Sequence, residues 1–330
     1  MNSLVKKELS IIENYIFSAY KKTEYSLNAI EKDLWNCYFL DYLFNRSEYK
    51  DYFIFKGGTS LSKCYNLINR YSEDLDVVLD ARILDIDLDE KMKTLVSRNQ
   101  KEKFIDYINE KAMSFIEEKL IIKMKEECER ETNKEFHFEL DKKNLAFYVR
   151  YPHSNSYGYI MPKIKVEMSS LSAVIPTEVR EVAPYVNIVL KDEMRDTFTV
   201  KCMKPERTFW EKSLILHQEA NRDSGSFPQR YSRHYYDLYC IYNSDVWKTI
   251  KNDIGLLDEV RKFTITFYNR SWSKFDEAKP GSFKLIPNDK YLKEVEDDYK
   301  LMNQMIFGDM PSFKLIIDTI KQIEEEVNNL

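Results

Sequence analysis

Apolar residues in the first fifty positions recur at helical spacing, as at Leu34, Tyr38, Leu40 and Leu43 with charges between them, so this region reads as helices ahead of the first strand. The pattern changes at 52–55, a short aromatic and β-branched run that ends at Gly57-Gly58, the mark of a strand entering a tight turn. Thr59 or Ser60 can then cap a helix through Leu61, Tyr65 and Ile68, because a hydroxyl there accepts a bond from an otherwise orphaned amide. Residues 75–79, with Asp74 ahead of them and Asp76 among them, fit a second strand.

Between about 89 and 132 the charge density rises and Leu95, Phe104, Tyr107, Ile108, Phe115 and Leu120 recur every three to four residues, which predicts inserted amphipathic helices. Strands are expected again at 136–140, 145–151, 160–168 and 197–203. Beyond Pro205 the pattern is helical nearly to the end, with helices near 206–221, 231–243, 255–270, 289–306 and 312–328. The economical organisation is an α+β fold: residues 1–204 carry a mixed sheet with the helical insert, and residues 205–330 form a helical bundle.

Composition narrows the function classes. With 43% hydrophobic and 14% aromatic residues the chain can bury a substantial core, and a net charge of -5 speaks against non-specific coating of nucleic acid. The five cysteines are scattered without a CxxC pair, which signals neither a zinc site nor a disulfide framework and suits a reducing cytoplasm. No segment has the length of a membrane span or the layout of a signal peptide, so a cytoplasmic location with no membrane partner is expected.

The candidate chemistry is concentrated in residues 55–80. Two of only seven glycines, Gly57 and Gly58, stand between strand and helix, where a backbone can approach a phosphate closely; a purely structural turn is the alternative. Asp74 and Asp76, two apart on a strand, face one side, and paired carboxylates suit a hard cation such as Mg²⁺; a solvated sheet edge is the other reading. Asp85, Asp87 and Asp89 also alternate, but they lead into the insert, where acidic residues complement a helix N-terminus. Glu167 projects from the polar side of a strand that includes Lys163 and Lys165, either as a third metal ligand or as half of a cross-strand ion pair. In the helical half, Lys212 can reach a triphosphate or sit on the surface. Asp237 lies in an aromatic helix and needs a cationic partner, for which Arg233 is four residues away. The four dispersed histidines give no support to a histidine-based triad.

These residues together resemble the AbiEii/AbiGii toxin family of nucleotidyltransferases, the toxin side of type IV toxin-antitoxin and abortive-infection systems. KGGTSLSK at 56–63 looks like its first motif, SEDLD at 72–76 its second, EKSLILHQEANR with Lys212 its third, and RHYYDLY with Asp237 its fourth. The terminal MIFGDMPSFKLII is similar to the family's helical tail. The resemblance implies a polymerase-β-like core, Mg²⁺ (or Mn²⁺), an NTP substrate, a cognate antitoxin, and nucleotide transfer to an acceptor such as the 3′ end of tRNA. It further implies that Gly57, Gly58, Thr59, Ser60, Lys63 and Arg233 bind nucleotide, Asp74 and Asp76 hold metal with Glu167 as a rival third carboxylate, and Lys212 and Asp237 complete the catalytic set from the helical domain. A small-molecule or protein acceptor, and a non-catalytic NTP-binding module, are the alternatives.

Overall fold

A computed structural model describes residues 3–152 and 163–330, so the first three residues of the strand expected at 160–168 lie outside the described residues. The chain divides into two compact units, one comprising the residues up to Cys64 and from Tyr71 to Met203, the other Tyr65–Arg70 and Lys204–Leu330.

The first unit opens with α1 (Leu9–Tyr20) and α2 (Leu27–Asp41), the latter capped by the Ser26 side chain, which accepts from the Ala29 amide. Helix α2 is buried on every side from Lys32 onward, as is expected of a helix at the centre of a core rather than on its surface. Its charges are neutralised inside: Lys32 meets Glu73 at 3.0 Å, Asp33 meets Lys63 at 2.7 Å, and Asp41 meets Arg46 at 3.1 Å. Trp35 lies face to face with Tyr151, 5.7 Å between centroids, and edge-on to Tyr38 and Phe136.

The sheet is built from β1 (Phe53–Lys56), β2 (Leu75–Leu79), β3 (His137–Asp141), β4 (Ala146–Arg150), β5 (Lys163–Ser169), β6 (Thr177–Val182) and β7 (Phe198–Met203) in the order β3-β4-β5-β2-β1-β7-β6. It is mixed: β1 runs antiparallel to β2 and parallel to β7, while β2 runs parallel to β5. The expected insert is present as α4 (Leu88–Thr94), α5 (Arg98–Phe115) and α6 (Ile121–Thr132). Asp87 caps α4 by accepting from the Asp89 and Glu90 amides, the role anticipated for this acidic run, and Ser97 and Gln100 close a capping box on α5. Helix α6 is tied to α2 by Tyr38 and to the turn just after α2 by Tyr42, whose hydroxyls donate to Glu131 and Glu127 at 3.0 and 2.9 Å.

Three local expectations need correction. The helix after β1, α3 (Gly57–Lys63), starts at Gly57 with Lys56 as its cap residue, so Thr59 and Ser60 lie in the first turn and do not cap it. It also ends at Lys63 instead of continuing through Tyr65 and Ile68, because Tyr65–Arg70 packs with the second unit. Strand β6 was not anticipated: Glu178, Arg180 and Glu181 obscure its alternation, as suits an edge strand whose charges discourage pairing with another chain. In β2, Leu75, Val77, Val78 and Leu79 are all buried and only Asp76 is partly open, the profile of an interior strand covered on both faces.

The second unit holds α7 (Pro205–Ala220), α8 (Ser232–Tyr242), α9 (Val246–Asn252), α10 (Gly255–Tyr268), α11 (Asp289–Leu301) and α12 (Phe313–Asn328). Pro205 occupies the first turn of α7, where its missing N–H is no loss. Helix α9, at seven residues, is too short to announce itself by periodicity. Helix α8 is central and packs against α7, α11 and α12. Its open N-terminus is closed from α11 by Asp298, which accepts from the Arg230 and Ser232 amides at 2.6 and 2.9 Å. Glu326 of α12 accepts from the Tyr242 hydroxyl and Trp247 indole at 2.7 and 3.2 Å. No helix among the described residues is long and apolar enough to cross a membrane.

Trp35 is fully buried, so Trp35→Ala should remove about 3–5 kcal/mol of stability through lost ring contacts and an unfilled cavity. The unfolding midpoint in urea measures this.

Candidate active site

In the first unit the turn between β1 and α3 and the start of β2 are built around each other. Gly57 adopts φ +77°, a left-handed conformation that disfavours a side chain. A Cβ placed there would come within 1.9 Å of Asp76 Oδ2. Glycine is therefore required both by the backbone and by the carboxylate beside it. Thr59, buried in the first turn, donates its hydroxyl to the backbone carbonyl of Asp74 at 2.6 Å, which fixes the entrance to β2. The hydroxyl expected to receive a bond at a helix end thus gives one to the strand.

Register then decides what surrounds Asp76. It stands opposite Lys56 on antiparallel β1 and opposite Glu167 on parallel β5. Residues paired across neighbouring strands present their side chains on one face, so Lys56, Asp76 and Glu167 form a row. Asp74 lies one residue before β2, on the same side by alternation. Burial raises its carboxyl above the ordinary value of 3.8; Lys165 works against this rise and Glu167 adds to it. Glu167 accepts from Lys165, so the ion-pair reading of Glu167 is realised with a lysine of its own strand. Among the described residues no group of three or more His, Cys, Asp or Glu side chains is gathered tightly enough to hold a metal by itself.

Lys63, expected to reach a phosphate, is committed elsewhere. Its ammonium meets Asp33 at 2.7 Å, donates to the Ala183 carbonyl at 2.8 Å, and lies 3.7 Å from the Tyr185 ring centroid. Burial pulls its pKa down, but Asp33, Cys37 and Tyr185 more than reverse that and hold it protonated. It fastens α3 to α2, because a buried ammonium needs a nearby carboxylate. Ser60 is buried as well.

The second unit contains a separate charged cluster around Asp237, which is fully buried on α8. Arg70 grips it with two bonds, Nε to Oδ1 at 2.7 Å and Nη2 to Oδ2 at 2.8 Å. Lys212 of α7 adds a third contact at 2.9 Å to Oδ2. The partner proposed from sequence, Arg233, is replaced by these two, since a planar guanidinium matches both carboxylate oxygens at once. Arg70 escaped notice because nothing in its local sequence marks it as the partner of a residue 167 positions away.

Two buried cations share one carboxylate here, and the titration preferences follow. Burial pushes Asp237 up, yet Arg70 and Lys212 outweigh it and hold the carboxyl well below the usual range. Lys212 is pulled down by burial, with Arg70 and Arg233 acting in the same direction and Asp237 against them. His234 Nδ1 lies 3.5 Å from Lys212 Nζ. An ammonium can only donate, so Nδ1 is the acceptor of a neutral imidazole. Burial, then Lys212 and Arg233, keep His234 neutral. Arg233 is half-buried and adds positive charge to the cluster without being the partner of Asp237.

Two substitutions test these contacts. Asp237→Asn leaves Arg70 and Lys212 buried without their counter-charge and should reduce stability by about 3–5 kcal/mol in urea unfolding. Asp237 has a folded pKa below its ordinary 3.8, so its stabilisation is complete above that value and disappears as pH falls through the folded one. The Asn variant should lack that part of the acid dependence. Gly57→Ala should also destabilise, by about 1–3 kcal/mol from the left-handed backbone alone, with further loss from the clash with Asp76, read as a lower melting temperature.

The chain matches the family described as nucleotidyl transferase AbiEii toxin, type IV TA system, over residues 38–323. No curated protein matches it. Among solved structures it is similar to MenT4, a nucleotidyltransferase toxin from Mycobacterium tuberculosis H37Rv, at 16% identity and a TM-score of 0.48, covering 96% of this chain and 98% of that one. With 38–323 spanning most of its 330 residues, including the Gly57-Gly58 turn, the Asp74 and Asp76 pair, Lys212 and Asp237, the chain belongs to the AbiEii family of nucleotidyltransferase toxins of type IV toxin-antitoxin systems.

Proposed function

We propose that this nucleotidyltransferase works with Mg²⁺ (or Mn²⁺) held by Asp74 and Asp76, with Glu167 beside them, and that it transfers a nucleotide from an NTP to an RNA hydroxyl, the 3′ end of tRNA being the leading acceptor. The observation that carries the metal assignment is the fit of Gly57 to Asp76: the chain gives up a side chain where the carboxylate Oδ2 lies 1.9 Å from the nearest Cβ position. Such sacrifice of backbone ease for one acidic group suits a ligand held in a fixed place.

The donor set is chemically appropriate. Mg²⁺ prefers hard oxygen ligands and is commonly bound through one or two carboxylates, with water and substrate phosphates completing its shell. When bound it supplies charge neutralisation for the triphosphate and a more acidic acceptor hydroxyl. The chain's own residues do the positioning. Gly57, Gly58, Thr59 and Ser60 would meet phosphates through their backbone, since the Thr59 hydroxyl is already given to the Asp74 carbonyl. In the second unit Arg70 and Lys212 share the single carboxylate of Asp237, which leaves positive charge there, and a role of Lys212 and Arg233 toward a triphosphate rests on the family resemblance. Asp237 acts in this scheme by holding Lys212 in place. Phosphoryl chemistry depends mostly on positioning and charge stabilisation, so such a sparse set is sufficient.

The RNA acceptor rests on what the family resemblance implies, and the antitoxin that the family pairs with its toxins is the expected protein partner. The test is incubation of the protein with each labelled NTP in an extract containing RNA, protein and metabolites. Label is expected in RNA of tRNA size, and label confined to protein or small molecules would overturn the RNA acceptor. Asp76→Ala should abolish transfer, by a factor of at least about 100 as for loss of an essential electrostatic group, while its circular dichroism spectrum stays unchanged. Full activity in that variant would remove the metal assignment.

A further inference from the structure

Lys165 has no part in the scheme above, yet its placement is specific. It precedes Glu167 by two residues on β5, so both side chains leave the same face of the sheet. Its ammonium donates to the Glu167 carboxylate. Glu167 in turn stands in register with Asp76. Neighbouring lysines are engaged otherwise. Lys56 donates to the Ser172 hydroxyl at 3.0 Å, Lys32 pairs with Glu73 at 3.0 Å, and Lys163 lies 4.1 Å from the Tyr148 ring centroid. Of these four, Lys165 is the one whose ammonium is bonded to a carboxylate of the candidate metal set.

We propose that Lys165 is a built-in counter-cation of that set: it neutralises Glu167 while no divalent ion is bound, and it competes with the ion for the same carboxylate. Three carboxylates on one sheet face repel one another unless a positive charge lies among them. A flexible lysine supplies that charge, and being tethered it lowers the affinity for a bare divalent ion. The triphosphate brings the additional negative charge that tips the competition toward the metal, so the ion enters with its nucleotide. The Lys165 side chain is 23% exposed and that of Glu167 41%, so the contact can open without disturbing the core.

This inference rests on Asp74 and Asp76 being metal ligands, and the experiment separates the two. Mn²⁺ is titrated against the full chain without nucleotide, the free ion being followed by electron paramagnetic resonance, for the parent protein, Asp76→Asn, Lys165→Met, Lys165→Arg and Lys163→Met. Lys165→Met is expected to bind Mn²⁺ about two- to fivefold more tightly, the range set by the worth of a partly exposed ion pair. Lys165→Arg should return the Kd to the parent value, and Lys163→Met should leave it there. Equal or weaker binding by Lys165→Met overturns the inference, as does an equal gain from Lys163→Met, which would reduce the effect to net charge. If Asp76→Asn binds Mn²⁺ as well as the parent does, the metal assignment itself fails. Melting curves of the variants verify that each is folded.

Discussion

The parallel pairing of β2 with β5 is the constraint to which the first unit answers. It sets Asp76 directly opposite Glu167, with Leu75 and Val77 buried on either side of Asp76 in its own strand. Two carboxylates side by side in partly desolvated surroundings are unfavourable unless compensated. The surrounding features follow from that problem. Lys165 bonds Glu167, Gly57 withdraws its side chain from Asp76, and Thr59 ties the backbone of Asp74 to α3. A strand pairing shifted by one residue would turn these acidic groups to the other face. That register is enforced by buried Leu75, Val77 and Val78.

The second unit inverts the charge balance. Arg70 and Lys212 surround a single carboxylate, with neutral His234 adjacent and Arg233 nearby. Burying two cations with one anion is costly to stability, and the cluster therefore depends on the two-bond grip of Arg70 on Asp237. Structural ion pairs and substrate sites share this appearance. The same arithmetic applies to Lys63 in the first unit, whose charge is met by Asp33 at 2.7 Å.

Much of this architecture is legible in the chain. The glycine turn, the acidic strand, the amphipathic insert and five of the C-terminal helices are local patterns, set by side-chain period and by turn and capping chemistry. Strand β6 and helix α9 escaped because one is an edge strand full of charges and the other is under two turns long. Glu167 could be seen from sequence as a polar residue on an alternating strand, but its neighbours could not, since alternation says which face a residue takes and not which strand lies beside it.

The family, the helical and strand segments, and the residue types able to bind a phosphate or a hard cation can be read from the order of residues alone. These rest on short-range periodicity and on an ordered set of motifs. The partners of the charged groups are set in the folded chain. Asp237 pairs with Arg70, 167 positions away, in place of Arg233 one helical turn away, and Lys63 pairs with Asp33, thirty positions before it. The physical reason is that the energy of an ion pair depends on distance and burial in space, and neither is encoded by separation along the chain.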